Sequence, residues 1–226
     1  MTQNTADTAQ MHIEVVRYYQ SVWQSVFHNE AGCDDLTLSH ANDYGNFSEI
    51  ENLIERYLEK KPIEHHLALS LGCGVAKDLS KIGEFYPSGE LIGIDTSLDA
   101  LLIARNNLPN TNVNLICASA SHLPFREDLK FDMLIAGHSL DLEFEENYLR
   151  RLLVEATKHS RMKAKFYMTF YGTDQVDLEL NKCTPIGNIL DELGWKIVHG
   201  ILYCSDKTRF AEGVFWIAER AISPLR

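Results

Sequence analysis

The segment Leu69-Ser70-Leu71-Gly72-Cys73-Gly74-Val75-Ala76-Lys77-Asp78 joins an apolar run to a helix-like one, with two glycines at the junction. Glycine has no Cβ, so the backbone there can turn tightly and approach a bound molecule closely. The helix that follows offers free N–H groups and a partial positive charge, which suit an anionic group such as a carboxylate. Asp95 stands 23 residues beyond Gly72, at the tip of the run Leu91-Ile92-Gly93-Ile94-Asp95. A carboxylate in that place can accept hydrogen bonds from both hydroxyls of a ribose. Together these residues predict a pocket for a ligand that carries a nucleoside. A dinucleotide site would want a third glycine at position 77, where Lys77 stands. The plainer alternative is a tight strand-to-helix turn with an N-capping Asp.

The elements that must position this loop are legible as alternation. Strand-like runs occur at LALSLG, ELIGID, NVNLICA, FDMLIAG, AKFYMTFYG, WKIVHGILYC and GVFWIAERA. Between the first five lie helix-like segments: AKDLSKIGEFY, SLDALLIARNNL, a short piece near 126–130, and EENYLRRLLVEATKH. Thr184 and Pro185 start a further helix that Gly194 closes. Short apolar runs alternating with helices predict a mostly parallel sheet covered on both faces. The polar loop CSDKTR leaves no room for a crossover helix, so the last two strands must be antiparallel.

Before Pro62 the pattern differs. Residues 1–10 read as a frayed terminus without the layout of a signal peptide. From Met11 to Phe27, Val15, Tyr19, Trp23 and Phe27 recur every four residues, which predicts an amphipathic helix. Ser48 or Asn46 is placed to cap a second helix through EIENLIERYLEKK. We therefore expect a helical cap over residues 1–62 and the ligand-binding domain over 63–226, built as one structural unit.

Composition narrows the partners. Asp and Glu outnumber Lys and Arg 32 to 21, giving a net charge of −11. A protein that tracks a phosphate backbone relies on clustered basic residues, so the charge argues against nucleic acid. Five scattered cysteines without a CxxC pair suit free thiols in a reducing compartment, and the expected location is the cytoplasm. No apolar run reaches the roughly 20 residues of a membrane span. Neither the histidines nor the cysteines show metal spacing, so no metal is expected.

LSLGCGVAKD, then IGIDTSLDALLIARNNLP, then ICASASHLPF, then FDMLIAGHSL resemble the four consecutive signature segments of class I S-adenosylmethionine-dependent methyltransferases. Order and spacing match over about residues 65–145. The resemblance implies a doubly wound, Rossmann-like α/β fold with a seven-stranded, mostly parallel sheet and an antiparallel last strand. It also implies S-adenosylmethionine as cofactor. Carried over by position, Ser70, Gly72, Cys73 and Gly74 would lie along its methionine part and Asp95 on the ribose. Thr96, Ser119 and Ala120 would lie by the adenine, and Gly137 would close the pocket beneath the sulfonium. Three positions depart from the family: Ser70 and Ser119 stand where acids are frequent, and Ala76 where a third glycine is. The two serines remove side-chain acceptors for the methionine ammonium and the adenine amine.

Methyl transfer asks a protein mainly to align nucleophile, carbon and sulfur, so a base is optional. His138, just after the fourth strand, is the candidate catalytic base, with Asp141 as its orienter or the cap of the next helix. Its competing role is a loop histidine that shapes the pocket. His122 reads as a surface or adenine-edge residue, and His65 and His66 as a solvated pair. Tyr18 and Tyr19 on the aromatic helix, and Tyr44 beyond it, are candidate substrate contacts, set against plain packing of that helix on the sheet. Asp141 and Asp174 are a thin basis for a metal-assisted enzyme. The expected function is methyl transfer to an oxygen, nitrogen or sulfur of a small metabolite. The alternatives are methylation of a protein or RNA, and a non-catalytic module that binds the cofactor.

Overall fold

The computed structural model describes residues 67–85, 87–108, 112–137, 139–140, 146–171, 185–204 and 212–221. The expected cap over 1–62, with Tyr18, Tyr19 and Tyr44, lies outside the described residues. So do His65, His66, His138, Asp141 and Asp174.

Seven strands form one sheet: β1 (Leu67–Leu71), β2 (Glu90–Asp95), β3 (Val113–Cys117), β4 (Phe131–Gly137), β5 (Ser160–Tyr171), β6 (Trp195–Cys204) and β7 (Glu212–Arg220). Their spatial order is β3-β2-β1-β4-β5-β7-β6. The first five are parallel, and β7 runs antiparallel to both β5 and β6. This is the doubly wound sheet expected from the sequence, with the antiparallel pair where the short polar loop required it.

Side chains alternate across the sheet, and each set meets its own helices. One face buries Ala68, Leu91, Val113, Met133, Ile135, Phe215 and Ile217 against Leu79, Ile82, Leu101 and Ala104. Those four come from α1 (Lys77–Phe85) and α2 (Leu98–Asn107). The other face buries Leu69, Leu71, Leu134, Ala136, Phe166 and Trp216 against Leu149, Leu152, Leu153, Ile186 and Ile189. Those come from α3 (Glu146–Lys158) and α4 (Pro185–Glu192). Burying each large aliphatic or aromatic side chain contributes about 1.5–3 kcal/mol relative to exposing it, which makes these two layers the main hold on the sheet.

The helix ends follow local chemistry. Ser97 caps α2 from an extended conformation, its hydroxyl accepting the Ala100 N–H at 3.2 Å. Pro185 opens α4, where its missing N–H costs nothing, and Gly194 follows its end at φ +81°.

The segment near 126–130 corrects the sequence reading. It forms no helix but a turn, closed by Leu129 N–H donating to Arg126 O at 3.0 Å. Only Phe125 and Leu129 are apolar there, and Phe125 is taken by edge contacts with Phe131 and His159, with ring centroids 5.3 and 5.9 Å away. A helix that short cannot recover its nucleation cost without an apolar face to bury. β5 also begins earlier than the apolar run implied, at Ser160, after which the register with β4 shifts and Lys163 takes φ +64°.

Candidate functional site

The strand order reverses between β1 and β4, since β1 leads to β2 on one side while β4 lies on the other. In open α/β sheets the crevice beyond the carboxyl ends of such strands is where ligands bind. The glycine loop leaves β1 at that point.

Three alternate positions of the loop have left-handed backbones: Gly72 at φ +67°, Gly74 at +50° and Ala76 at +56°. This alternation winds the loop tightly, with Ala76 N–H donating back to Cys73 O at 2.7 Å. Cys73 N–H anchors the loop to Ile94 O of β2 at 2.9 Å. Glycine is required at 72 because a Cβ would stand 2.5 Å from Cβ of Ser139, just past β4. Ser139 in turn donates its hydroxyl to Leu71 O at 2.5 Å, tying the ends of β1 and β4 together. Ala76 keeps the backbone of the glycine it replaces while fully buried, at about 1–2 kcal/mol of conformational strain.

Asp95 is wired into this loop. Its Oδ2 accepts Gly74 N–H at 2.9 Å and its Oδ1 accepts Ser97 N–H at 2.8 Å. Burial pushes its carboxyl above the usual range, opposed by the backbone donors of Ser97, Gly74 and Thr96. Each carboxylate oxygen has a second lone pair, so the group can still accept two hydroxyls from a vicinal diol. Thr96, beside it, is half-buried, and its carbonyl oxygen lies 3.6 Å from the Cys117 sulfur.

Cys73 is not a nucleophile. Burial first, then the charges of Asp95 and Asp78, raise its thiol well above the ordinary value, which keeps it protonated. Its sulfur packs over Gly93, where a Cβ would come within 2.8 Å of it.

The two serines where acids were expected differ in use. Ser70 is fully buried in β1 and donates its hydroxyl to Asp78 Oδ2, 2.7 Å away in the first turn of α1. Ser119 spends its hydroxyl on the turn after β3, with Ser121 Oγ at 3.0 Å and Ser121 N–H at 3.3 Å. His122 closes that turn with its N–H on Ser119 O, and its Nδ1 meets Ser121 Oγ at 3.1 Å. Ala120 is half-buried against the core on the α3 face. Gly137 ends β4 with room for a Cβ, its nearest neighbour being Thr169 Oγ1 at 4.0 Å, so packing within the protein does not demand glycine there.

Ser70, Gly72, Cys73, Gly74, Asp95, Thr96, Ser119, Ala120 and Gly137 therefore gather at the carboxyl edge of β1 to β4. The sequence reading passed over three neighbours. Asp78 was visible only as a helix cap, and Ser139 only as a loop residue. Tyr148 of α3 is the third: burial raises its phenol, Arg151 opposes the rise, and the charge of Asp95 adds to it, so the ring lies within reach of Asp95's field. Among the described residues no three His, Cys, Asp or Glu side chains form a group that could hold a metal ion.

A family model for a methyltransferase domain matches residues 68–163. Over those residues, fewer than half of the chain, the sequence is similar to a methyltransferase domain. Domains of this kind take their methyl group from S-adenosylmethionine. Solved structures share the fold of the domain. An S-adenosylmethionine-dependent methyltransferase from Clostridium acetobutylicum is 16% identical with TM-score 0.57, over 78% of this chain and 92% of that one. Magnesium protoporphyrin IX methyltransferase from Synechocystis, solved with S-adenosylmethionine bound, is 14% identical with TM-score 0.62, over 92% and 96%. The [4+2]-cyclase SpnF is 14% identical with TM-score 0.61, over 76% and 81%. At such identities the likeness establishes the fold, and the cyclase shows that the fold hosts more than one chemistry. No curated protein matches the chain. No helix among the described residues is long and apolar enough to cross a membrane.

Proposed function

We propose that this domain moves a methyl group from S-adenosylmethionine to an oxygen, nitrogen or sulfur nucleophile of a small metabolite. The observation that carries the reading is the half-buried Asp95 carboxylate, held by Gly74 and Ser97 beside the left-handed loop. In this reading Asp95 takes the ribose hydroxyls, while the turning backbone of Gly72, Cys73 and Gly74 lies along the amino-acid end, with Ser70 beneath it. Thr96, Ser119 and Ala120 border the adenine, Ser119 by its backbone since its hydroxyl is engaged, and Gly137 gives the methyl group clearance.

When bound, the cofactor supplies a methyl carbon activated by positive sulfur, so the protein's work is alignment and removal of one proton. His138 is the proposed base, following Gly137 at the open edge of the sheet, and Tyr18, Tyr19 and Tyr44 are the proposed acceptor contacts. The net charge of −11 supports a small acceptor over a nucleic acid. The dispersed thiols support a cytoplasmic setting. One observation favours a second reading, a module that binds without turnover: Ser119 keeps its hydroxyl for its own turn rather than for a ligand.

Isothermal titration with S-adenosylmethionine and S-adenosylhomocysteine, then an acceptor screen that detects S-adenosylhomocysteine, tests both. Binding with turnover supports the enzyme. Binding without turnover on a broad panel favours the module, and absence of binding overturns both readings. His138→Asn should leave cofactor affinity intact and lower turnover by roughly 10²-fold or more. Turnover at the parental rate would move His138 to the pocket wall.

A further inference from the structure

We infer that the outer face of α2, through Leu98 and Leu102, is the docking surface for the aromatic segment 11–27 of the same chain. Among the described residues four large apolar side chains are exposed: Leu98 at 59%, Leu102 at 42%, Met162 and Val198. Met162 and Val198 sit on separate strands. Leu98 and Leu102 stand one turn apart on one helix, so their side chains share a face. The rest of α2 is apolar too. Ala100, Leu101 and Ala104 are buried, and Ile103 is half-buried against Val75 and Ala100. Only Asp99, Arg105 and two asparagines interrupt the helix, so apolar residues reach almost all the way round it. A surface helix needs one apolar stripe, and α2 already spends its own on β2, β3 and α1. An apolar remainder on the solvent side calls for a second cover.

Size and sequence select the occupant. Together the two leucines expose about as much as one fully exposed leucine, far below the roughly 800 Å² a side of a lasting complex between separate molecules. A segment tethered to the domain needs much less, since its effective concentration is in the millimolar range. Residues 11–27, which lie outside the described residues, carry Val15, Tyr19, Trp23 and Phe27 at a spacing of four. Residues 28–66 join them to Leu67, and at about 3.3 Å per extended residue that length reaches any face of the domain. The place bears on the crevice. Leu98 lies three residues past Asp95, and Val75, which packs on α2, belongs to the glycine loop. A segment seated on α2 thus braces the helix that follows Asp95 and brings Tyr18 and Tyr19 to the same rim. The docking itself needs no cofactor, so it stands or falls apart from the methyl-transfer reading.

Two measurements on the full chain test the docking. Trp195 and Trp216 are buried in the domain, so acrylamide quenching reads the third tryptophan, Trp23. Leu98→Ser with Leu102→Ser should open Trp23 to acrylamide and move its emission to longer wavelength. Hydrogen exchange in residues 11–27 should rise by about tenfold or more in the same variant. Met162→Ser, at the other exposed site, should change neither. Unchanged quenching and exchange in the leucine variant overturn the inference, as does an equal response to Met162→Ser. Should the leucine variant not fold, Trp23→Ser with Phe27→Ser decides from outside the domain. Exchange in residues 98–107 must then rise, and an unchanged rate overturns the inference. Shielding of Trp23 that appears only as the protein concentration rises places a second copy on α2, which overturns it as well.

Discussion

Two polar clusters sit at opposite ends of the sheet, one buried and built around a cation, the other half-buried and built around two carboxylates. At the amino end, Arg220 of β7 donates Nη1 to Thr157 O and Ser160 Oγ at 2.6 Å each, and also to Ser160 O. Trp195 Nε1 donates to Thr157 Oγ1 at 2.8 Å, which donates to Leu153 O at 2.6 Å. Cation and indole are thus placed on the closing carbonyls and hydroxyl of α3, where a helix C-terminus favours positive charge. At the carboxyl end, Asp95 accepts the Gly74 and Ser97 N–H groups and Asp78 accepts the Ser70 hydroxyl. The amino-end cluster holds the last strand to α3 through Arg220 Nη1, while Arg220 Nε is buried without a hydrogen-bond partner. The carboxyl-end cluster instead fixes two carboxylates beside the glycine loop, and preorganisation of that kind is what a binding site requires.

Substitutions that separate binding from stability probe this contrast. Gly74→Val has the largest expected effect: a branched residue at φ +50° should abolish S-adenosylmethionine binding in titration. Normal binding by a folded variant would remove the loop from the site. Arg220→Met should lower the unfolding free energy by about 3 kcal/mol in urea, because buried acceptors lose their donor, and leave cofactor affinity unchanged. A weakened affinity would break the division between the two ends.

Asp95→Ala should weaken cofactor binding by roughly 1.5–3 kcal/mol, the worth of hydrogen bonds to a charged acceptor, and an affinity within about twofold of the parent would exclude it from the site. The sign of its pH dependence follows from burial. The folded pKa lies above the ordinary 3.8, so the protonated form gains population at a higher pH than for an exposed Asp. Parental affinity should therefore fall on acidification through a group titrating above 3.8, and that limb should vanish in Asp95→Ala. The smallest effect is Ala76→Gly. Relief of a left-handed alanine offsets the added freedom of glycine in the unfolded chain, for a net gain of up to about 1 kcal/mol. A loss of stability would show that the alanine methyl packs better than its backbone is strained.

The sequence made the sheet legible because its strands are buried on both faces and read as continuous apolar runs, as LALSL and FDMLIAG do. α4 was equally plain from Pro185 and Gly194. The turn near 126–130 was not, because its charged residues look helical unless one knows that Phe125 is taken by Phe131 and His159. At the site, Asp95 and the two glycines could be read from spacing alone. Asp78 and Ser139 could not, since their meaning comes from what crosses the loop. Ser70 contacts a residue eight positions on, and Gly72 is obliged to be glycine by a serine 67 positions away. Ala76 reads as a defect in the motif, while its φ shows that the backbone kept the motif's shape.

The close fit of Gly93 against Cys73 has a practical side for anyone who labels this protein. Cys73 is sealed beneath its own loop and held protonated, whereas Cys117 is exposed at the tip of β3 with its sulfur near Thr96 O. Of these two thiols, a maleimide dye will find Cys117 and pass over Cys73. A fluorophore fixed there sits at the rim beside Thr96. It turns occupancy of the crevice into an optical signal without touching the loop that forms it.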